Sequence, residues 1–355
     1  MTKEKPRLAA FAADRTAQAA RGAFKAAWWA AAGMAARAIA KPSGARPEGF
    51  APTAEPAPKG FVRRAWLEAF EKDARDVAMG LYPPMDDAPA HPAAALRGAA
   101  DFLADAKQVE ARRRRGGATE AREDAPPGGV YPAYYRQNFH YQSGGWFTRD
   151  SARRYEAQVE ALFAGAAGAM RRRALSLLAA AWRGRDHRGV AILDLACGSG
   201  AFLNNLAAAF PRARLVGVDL SGPYLEEARR RSGLETLVQA NAERLPFADA
   251  SLDAVACVYL FHELPPKVRA AVVAEIARVL KPGGLMAFAD SLQPVDEPRM
   301  GRLLEAFPAY FHEPYYATYA ATDLPALFAA AGLSVRGQDT AFLTKAMLFE
   351  KGEIG

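Results

Sequence analysis

One stretch constrains this chain more than any other: Val190-Ala191-Ile192-Leu193-Asp194-Leu195-Ala196-Cys197-Gly198-Ser199-Gly200. A short apolar run ends in a carboxylate and passes into small residues and two glycines. Phe202, Leu203, Leu206, Ala207 and Phe210 follow at spacings of three and four, the period of a helix. The stretch reads as strand, tight turn, helix. The glycines let the backbone turn sharply and let a ligand lie against it. The helix N-terminus behind the turn offers unpaired N–H groups. Farther on, Arg214-Leu215-Val216-Gly217-Val218-Asp219 repeats the pattern of a strand ending in a carboxylate. In doubly wound folds a carboxylate at that place meets a ribose diol.

The glycine turn does not choose its ligand alone. A dinucleotide fingerprint asks for a third small residue, and Leu203 stands there. A Walker-type phosphate loop needs Gly-Lys-Ser/Thr, which is missing. Two further motifs follow in order: Asn241-Ala242-Glu243-Arg244-Leu245-Pro246-Phe247 and Leu280-Lys281-Pro282-Gly283-Gly284. Together the four motifs resemble class I S-adenosylmethionine-dependent methyltransferases, in particular the small-molecule branch that includes quinone-biosynthesis enzymes. The resemblance covers roughly residues 188 to 350. It implies S-adenosylmethionine as cofactor, with Asp194 anchoring the turn near the methionine moiety. It implies that Ala196, Gly198 and Gly200 contact methionine and ribose, that Asp219 binds the ribose hydroxyls, and that Leu220 lines the adenine. Asn241 and Ala242 would contact the adenine, and Tyr259 with Leu260 would close the floor under the methyl group. Two positions depart from the family pattern. Ala196 stands where many members have Gly, and Asn241 where many have Asp.

The rest of the chain predicts an α/β fold. Residues 1–40 are Ala-rich and helical in pattern, with Gly22 and Gly33 as weak points and Phe24, Trp28, Trp29 and Ile39 on an apolar side. Lys41–Lys59 and Gly116–Gly129 read as linkers, flanking helices over Gly60–Leu81, ended by Pro83-Pro84, and from Pro92 to about Arg115, with Leu96, Ala99, Ala100, Leu103 and Ala106 inward. Asp150 or Ser151 caps the next helix. Strands are expected at Glu235–Ala240, Leu252–Tyr259, Leu285–Asp290, Leu333–Val335 and Ala341–Glu350. Pro265-Pro266 opens a helix carrying Val268, Val272, Ile276 and Val279. Alternating strands and helices imply a mainly parallel sheet covered on both faces. The resemblance makes it a Rossmann-like, doubly wound sheet with an antiparallel last strand, carrying an N-terminal α-helical extension. The expected division is a helical arm over 1–130, an aromatic lid with helices over 131–187, and the cofactor domain over 188–355.

Aromatic residues crowd between Tyr131 and Phe147, and again between Tyr310 and Tyr319. Aromatics give large apolar area with a polar tip. Tyr134, Tyr135, His140, Tyr141, Tyr315 and Tyr316 are therefore the expected acceptor-binding residues. His262 follows the fourth strand, where substrates enter in this fold. Its near-neutral pKa makes it the candidate general base. No Asn/Asp-Pro-Pro-aromatic motif ends that strand, which by family logic argues against amide methylation.

Methyl transfer is a displacement that mainly needs alignment. No metal is expected, because no Cys/His cluster has ligand spacing and the chain holds only five histidines. Its two cysteines, Cys197 and Cys257, make no disulfide framework and suggest reduced thiols and a cytoplasmic setting. The net charge of +7 raises the question of anionic partners. The Arg runs at 112–115, 171–173 and 229–231 read as solvated helix faces, and no base-stacking pattern predicts nucleic-acid binding. Peripheral membrane contact through residues 1–40 is the sharper alternative to a helix packed on its own domain. A non-catalytic scaffold of the same fold is the alternative to an enzyme. Leu203 and Leu280–Gly284 disfavour a nicotinamide dehydrogenase.

Overall fold

The computed structural model describes residues 4–40, 50–85, 92–126 and 131–353. Residues 41–49 and 127–129, parts of the two expected linkers, lie outside the described residues. So do the side chains of Ile39, Leu96 and Ala99.

Seven strands form one sheet. They are β1 (Ala191–Leu195), β2 (Arg214–Asp219), β3 (Leu237–Gln239), β4 (Leu252–Val258), β5 (Leu280–Ser291), β6 (Leu333–Ala341) and β7 (Thr344–Lys351). Their order is β3-β2-β1-β4-β5-β7-β6. The pairs among β1 to β5 are parallel, and β7 runs antiparallel to both neighbours. Alternate residues face opposite layers, as the pleat requires. Leu193, Leu195, Val255, Cys257 and Phe288 face one core, with Val272 and Ile276 of α8 (Pro266–Val279) and Phe328 of α11 (Leu324–Ala329). Ile192, Ala254, Ala256, Ala287 and Ala289 face the other, with Leu175 and Leu178 of α5 (Ala167–Ala181) and Leu203 and Leu206 of α6 (Ala201–Ala209). Burial on both faces is why these strands read as continuous apolar runs.

The expected architecture holds, with local differences. The last two strands are β6 and β7 as given above, so the hairpin turns near Phe342, later than the apolar pattern suggested. β6 is largely exposed between its ends, so hydrophobicity does not mark it. The cap of α4 (Arg149–Leu162) is Thr148, whose Oγ1 accepts the Ser151 N–H at 3.1 Å, in place of Asp150 or Ser151. Ser221 caps α7 (Gly222–Ser232) by accepting the Tyr224 N–H.

The amino-terminal helices pack on the sheet domain. α1 (Glu4–Ala40) is continuous through Gly22 and Gly33 and lies against α2 (Phe61–Ala78), α3 (Pro92–Arg115) and α4. Gly22 is a contact point rather than a weak point, since a Cβ there would come within 2.9 Å of the Phe70 ring. Gly165 does the same for the backbone of Ala26. Ala26 and Trp29 are buried, and Lys25 pairs with Glu160 at 2.6 Å. On α3 the expected inward face holds only in part: Ala100 is exposed and Leu103 and Ala106 are half-buried, while Asp105, Glu110 and Arg112 are buried. Asp105 accepts from Ser143 Oγ at 2.6 Å and from Gln158 Nε2 at 3.0 Å. Among the described residues no helix is long and apolar enough to cross a membrane.

The Arg171–Arg173 run is not a solvated face. All three are buried, and each meets a carboxylate: Arg171 with Glu156 at 2.8 Å, Arg172 with Asp73 at 2.6 Å and Arg173 with Asp76 at 2.5 Å. Arg112 is also buried, bonded to Glu120 and to the Tyr141 carbonyl. Only Arg229–Arg231 among the three runs is exposed throughout. Asp73 also accepts from Gln18 Nε2 and the Tyr82 hydroxyl, so α1, α2 and α5 converge on one carboxylate. Removing one partner from a buried ion pair leaves the other charge uncompensated, at a cost of about 3–5 kcal/mol. Asp73→Ala should therefore lower the unfolding free energy by about that much in urea titration. An unchanged midpoint would show that the Arg172 pair does not hold the helices.

Candidate active site

An open-mouthed cavity lies at the carboxyl ends of β1, β2 and β4. Its place follows from topology. The strand order reverses between β1 and β4, and helices leave to opposite faces there, opening a crevice.

The floor is the turn from β1 into α6. Asp194 is buried at the end of β1, and its Oδ2 has no hydrogen-bond partner. Burial pushes its carboxyl well above the usual range, and neighbouring Asp219 adds to the rise. Gly198 (φ 53°) and Gly200 (φ 81°) take the left-handed backbone the turn needs. A Cβ on Gly200 would meet the Ala228 backbone at 3.2 Å, so glycine also lets α6 approach α7. Ala196 takes φ 58° without being glycine.

Asp219 ties the turn to β2. One oxygen accepts the Gly198 N–H and the other the Ser221 N–H, both at 2.8 Å. Burial raises its carboxyl to about 6, against the pull of those backbone donors. Leu220 follows on the wall, and Ala242 and Asn241 stand opposite, after β3. The Asn241 side chain serves its own turn: Oδ1 accepts the Glu243 N–H at 2.9 Å and Nδ2 donates to Glu243 Oε1 at 3.1 Å. Tyr259 ends β4 at φ 58°, with its hydroxyl bonded to Thr344 Oγ1. Eight of the nine residues expected to contact the cofactor thus border one cavity; the ninth, Gly200, is the N-cap of α6 and is not on its wall.

The expected acceptor residues divide. Tyr134 and Tyr135 form part of the cavity wall. The Tyr134 hydroxyl donates to Glu243 Oε1 at 2.8 Å, tying the aromatic segment to the turn after β3. Tyr135 stacks on Tyr131 at 5.6 Å. His140, Tyr141, Tyr315 and Tyr316 are not on the wall. Tyr316 is buried, bonded to Ser291 Oγ and packed beside Phe307, because α10 (Tyr316–Ala320) turns its aromatic side into the protein. Tyr141 lies by the His312 ring, and Tyr315 accepts from Gln137.

His262 is not on the wall either. Its Nδ1 lies 2.6 Å from Asp290 Oδ1. Burial disfavours its charged form, but Asp290, Glu313 and Glu263 outweigh burial and raise it to about 10. Engaged by Asp290 and off the wall, His262 does not face the cavity as the free base expected for it.

Several wall residues carry no motif. Trp146, Tyr155 and Tyr224 pack edge to face at 5.3–5.6 Å. The Trp146 carbonyl accepts from Ser221 Oγ, which docks the aromatic segment on the start of α7. Glu156 accepts from Ser199 Oγ at 2.7 Å and from Arg171 at 2.8 Å. Burial works against the Glu156 charge, but Arg171 and Arg231 prevail and its carboxyl lies below the usual range. The aromatic density of residues 131–155 was the available signal for the first group; nothing local marked Arg171 or Glu156.

Residues 192–284 match the family model described as a methyltransferase domain. The chain is 34% identical to the ubiquinone/menaquinone biosynthesis C-methyltransferase UbiE of Desulfotalea psychrophila, over 40% of this chain and 64% of that protein. It is 37% identical to the fatty-acid O-methyltransferase of Mycolicibacterium smegmatis, over 35% of this chain and 45% of that one. It is 35% identical to the demethylmenaquinone methyltransferase of Thermus thermophilus, over 41% of this chain and 74% of the relative. The first two matches therefore span less than two thirds of those relatives.

An L-residue in the left-handed region costs roughly 1–2 kcal/mol, which glycine avoids in exchange for some chain entropy. Ala196→Gly should therefore raise stability by about 1 kcal/mol. Thermal unfolding of the two proteins checks this, and a lower melting temperature would mean the methyl group is needed for packing.

Proposed function

The chain belongs to the class I S-adenosylmethionine-dependent methyltransferases, and from that premise we propose that it transfers a methyl group to a small acceptor of aromatic or apolar character. The observation that carries the reading is the pair of strand-end carboxylates, Asp194 and Asp219, on one cavity. A cationic, ribose-bearing cofactor calls for such a pair. The buried, unpartnered Asp194 Oδ2 suits a positive group, since a buried charge without a partner is costly. Asp219 is fixed by two backbone N–H groups and keeps lone pairs for a diol. Arg171 on the wall suits a carboxylate.

S-adenosylmethionine, when bound, supplies an activated methyl group. The protein's own contribution is placement. The turn at Ala196–Gly200 sets the depth of the cofactor, and Asp219 sets its rotation. Tyr134, Tyr135, Trp146 and Tyr155 supply apolar rings on the same cavity, which favour a flat or greasy acceptor and exclude water. His140, Tyr141, Tyr315 and Tyr316 would support this wall from behind. The quinone and fatty-acid acceptors in the relatives' names are both consistent with such a cavity.

Calorimetry with S-adenosylhomocysteine tests the reading. Each hydrogen bond to a charged acceptor contributes roughly 1.5–3 kcal/mol, so Asp219→Ala should weaken binding by at least about 100-fold. Equal affinity in that variant would sink the assignment. A pH dependence follows with a definite sign. The Asp219 carboxyl is raised to about 6, so the ligand-free fold favours its protonated form as pH falls through that value. The ionised form is the better diol acceptor, so affinity should be flat above neutrality and decline between pH 7 and 5. Affinity that rises on acidification would contradict this.

A further inference from the structure

Behind the cavity wall lies a second cluster that methyl transfer does not use. Three separate segments meet there. His140 comes from the turn Phe139–Tyr141, His262 from the turn Phe261–Glu263 after β4, and Glu313 from the loop after α9 (Gly301–Tyr310). One donor atom from each lies within 4.8 Å of the others. Glu263 Oε1 stands 3.9 Å from His140 Nε2 and 4.0 Å from His262 Nε2.

The cluster is poorly satisfied by itself. The Glu313 side chain is fully buried, and neither of its oxygens has a hydrogen-bond partner. His140 Nδ1 lies 2.9 Å from Glu313 Oε1, yet both atoms lack hydrogen-bond geometry. Two donors this close but not aligned on each other are arranged to share a third body. Among the described residues, only His140 and His262 form ion pairs with Glu263, Glu313 or Asp290. Asp290 is also held by the Phe261 and Ser291 N–H groups, so the group short of a cation is Glu313, buried with both oxygens unbonded. His262 also has the partner that metal-bound histidines use: Asp290 holds Nδ1 at 2.6 Å and leaves Nε2 facing the cluster. The His140 backbone, at φ 55°, is bonded through its N–H to the His312 carbonyl.

We propose that His140, His262 and Glu313 bind one divalent transition-metal ion of the zinc type, with Glu263 near enough to join as a fourth ligand. Two imidazoles and a carboxylate select this class; magnesium and calcium take oxygen ligands. Zinc ligands stand about 2.0–2.1 Å from the metal, so the donors must close by roughly 1 Å. Binding displaces the proton from His262 Nε2 to solvent while Asp290 keeps the Nδ1 proton. The ion would pin the aromatic segment to the end of β4 and to the loop after α9. Glu263 also borders the cofactor cavity, so the ion would stand next to the acceptor wall.

The test uses the full chain, stripped with a chelator and titrated with Co²⁺ and, separately, Zn²⁺, without cofactor. The expected result is one Co²⁺ per chain with ligand-field bands in the visible spectrum, displaced by one Zn²⁺. Zinc should also raise the melting temperature of the wild type. Glu313→Gln, nearly isosteric, and His140→Ala should each lose at least about 100-fold in zinc affinity, while Asp290→Asn loses 10–100-fold through orientation alone. His187→Ala, outside the cluster, should bind as the wild type does. Circular dichroism and a cooperative thermal unfolding transition establish that each variant is folded. No saturable Co²⁺ binding by the wild type, or equal binding by folded Glu313→Gln, would overturn the proposal. The metal titration stands whether or not the cofactor reading does, so the two can fail separately.

Discussion

The site depends on one carboxylate holding two backbones. Asp219 accepts N–H groups from the turn after β1 and from the start of α7, so a single side chain fixes the separation of the two segments that border the cavity. Burying it has a cost, visible in its raised pKa, and the two backbone donors offset part of that cost. Asp194 has no such compensation, and its Oδ2 is left without a partner. The asymmetry separates their tasks. Asp219 is held by its two backbone donors, whereas Asp194 keeps an oxygen open toward the cavity floor.

The amino-terminal helices and the aromatic segment form the roof through buried polar contacts as well as aromatic packing. Arg112 reaches from α3 to the Tyr141 carbonyl and Ser143, and buried Asn138 bridges the Ala121 N–H and the Gln142 carbonyl. Ser221 and Tyr224 hold the segment from below. Directional bonds specify geometry sharply when they are buried, because a misplaced partner leaves a polar group unsatisfied. The roof is thus positioned to hydrogen-bond tolerance while its inner surface stays aromatic. Asp73 has the same place beneath α1, α2 and α5, joining the three helices through one buried carboxylate.

The cluster at His140, His262 and Glu313 fits the same economy of means. The turn that places His140 is bonded to the loop carrying His312, and the wall residue Glu263 adjoins both histidines.

The sequence by itself determined the parts whose physics is local. The apolar runs, the glycine turn with Asp194 and Asp219, and the helix patterns after them depend on neighbours a few residues apart, so β1 to β5 and the gathering of the motif residues about one cavity were legible. Exposed β6 was legible only at its ends, because its ladder and not its hydrophobicity makes it a strand. The tertiary structure decided the rest. Whether an Arg run is solvated, whether Tyr316 faces a cavity or the core, and whether His262 is a free base or a partner of Asp290 depend on residues 25 to 99 positions away. No periodicity carries that information, since it arises only when packed elements choose which polar groups lose their water.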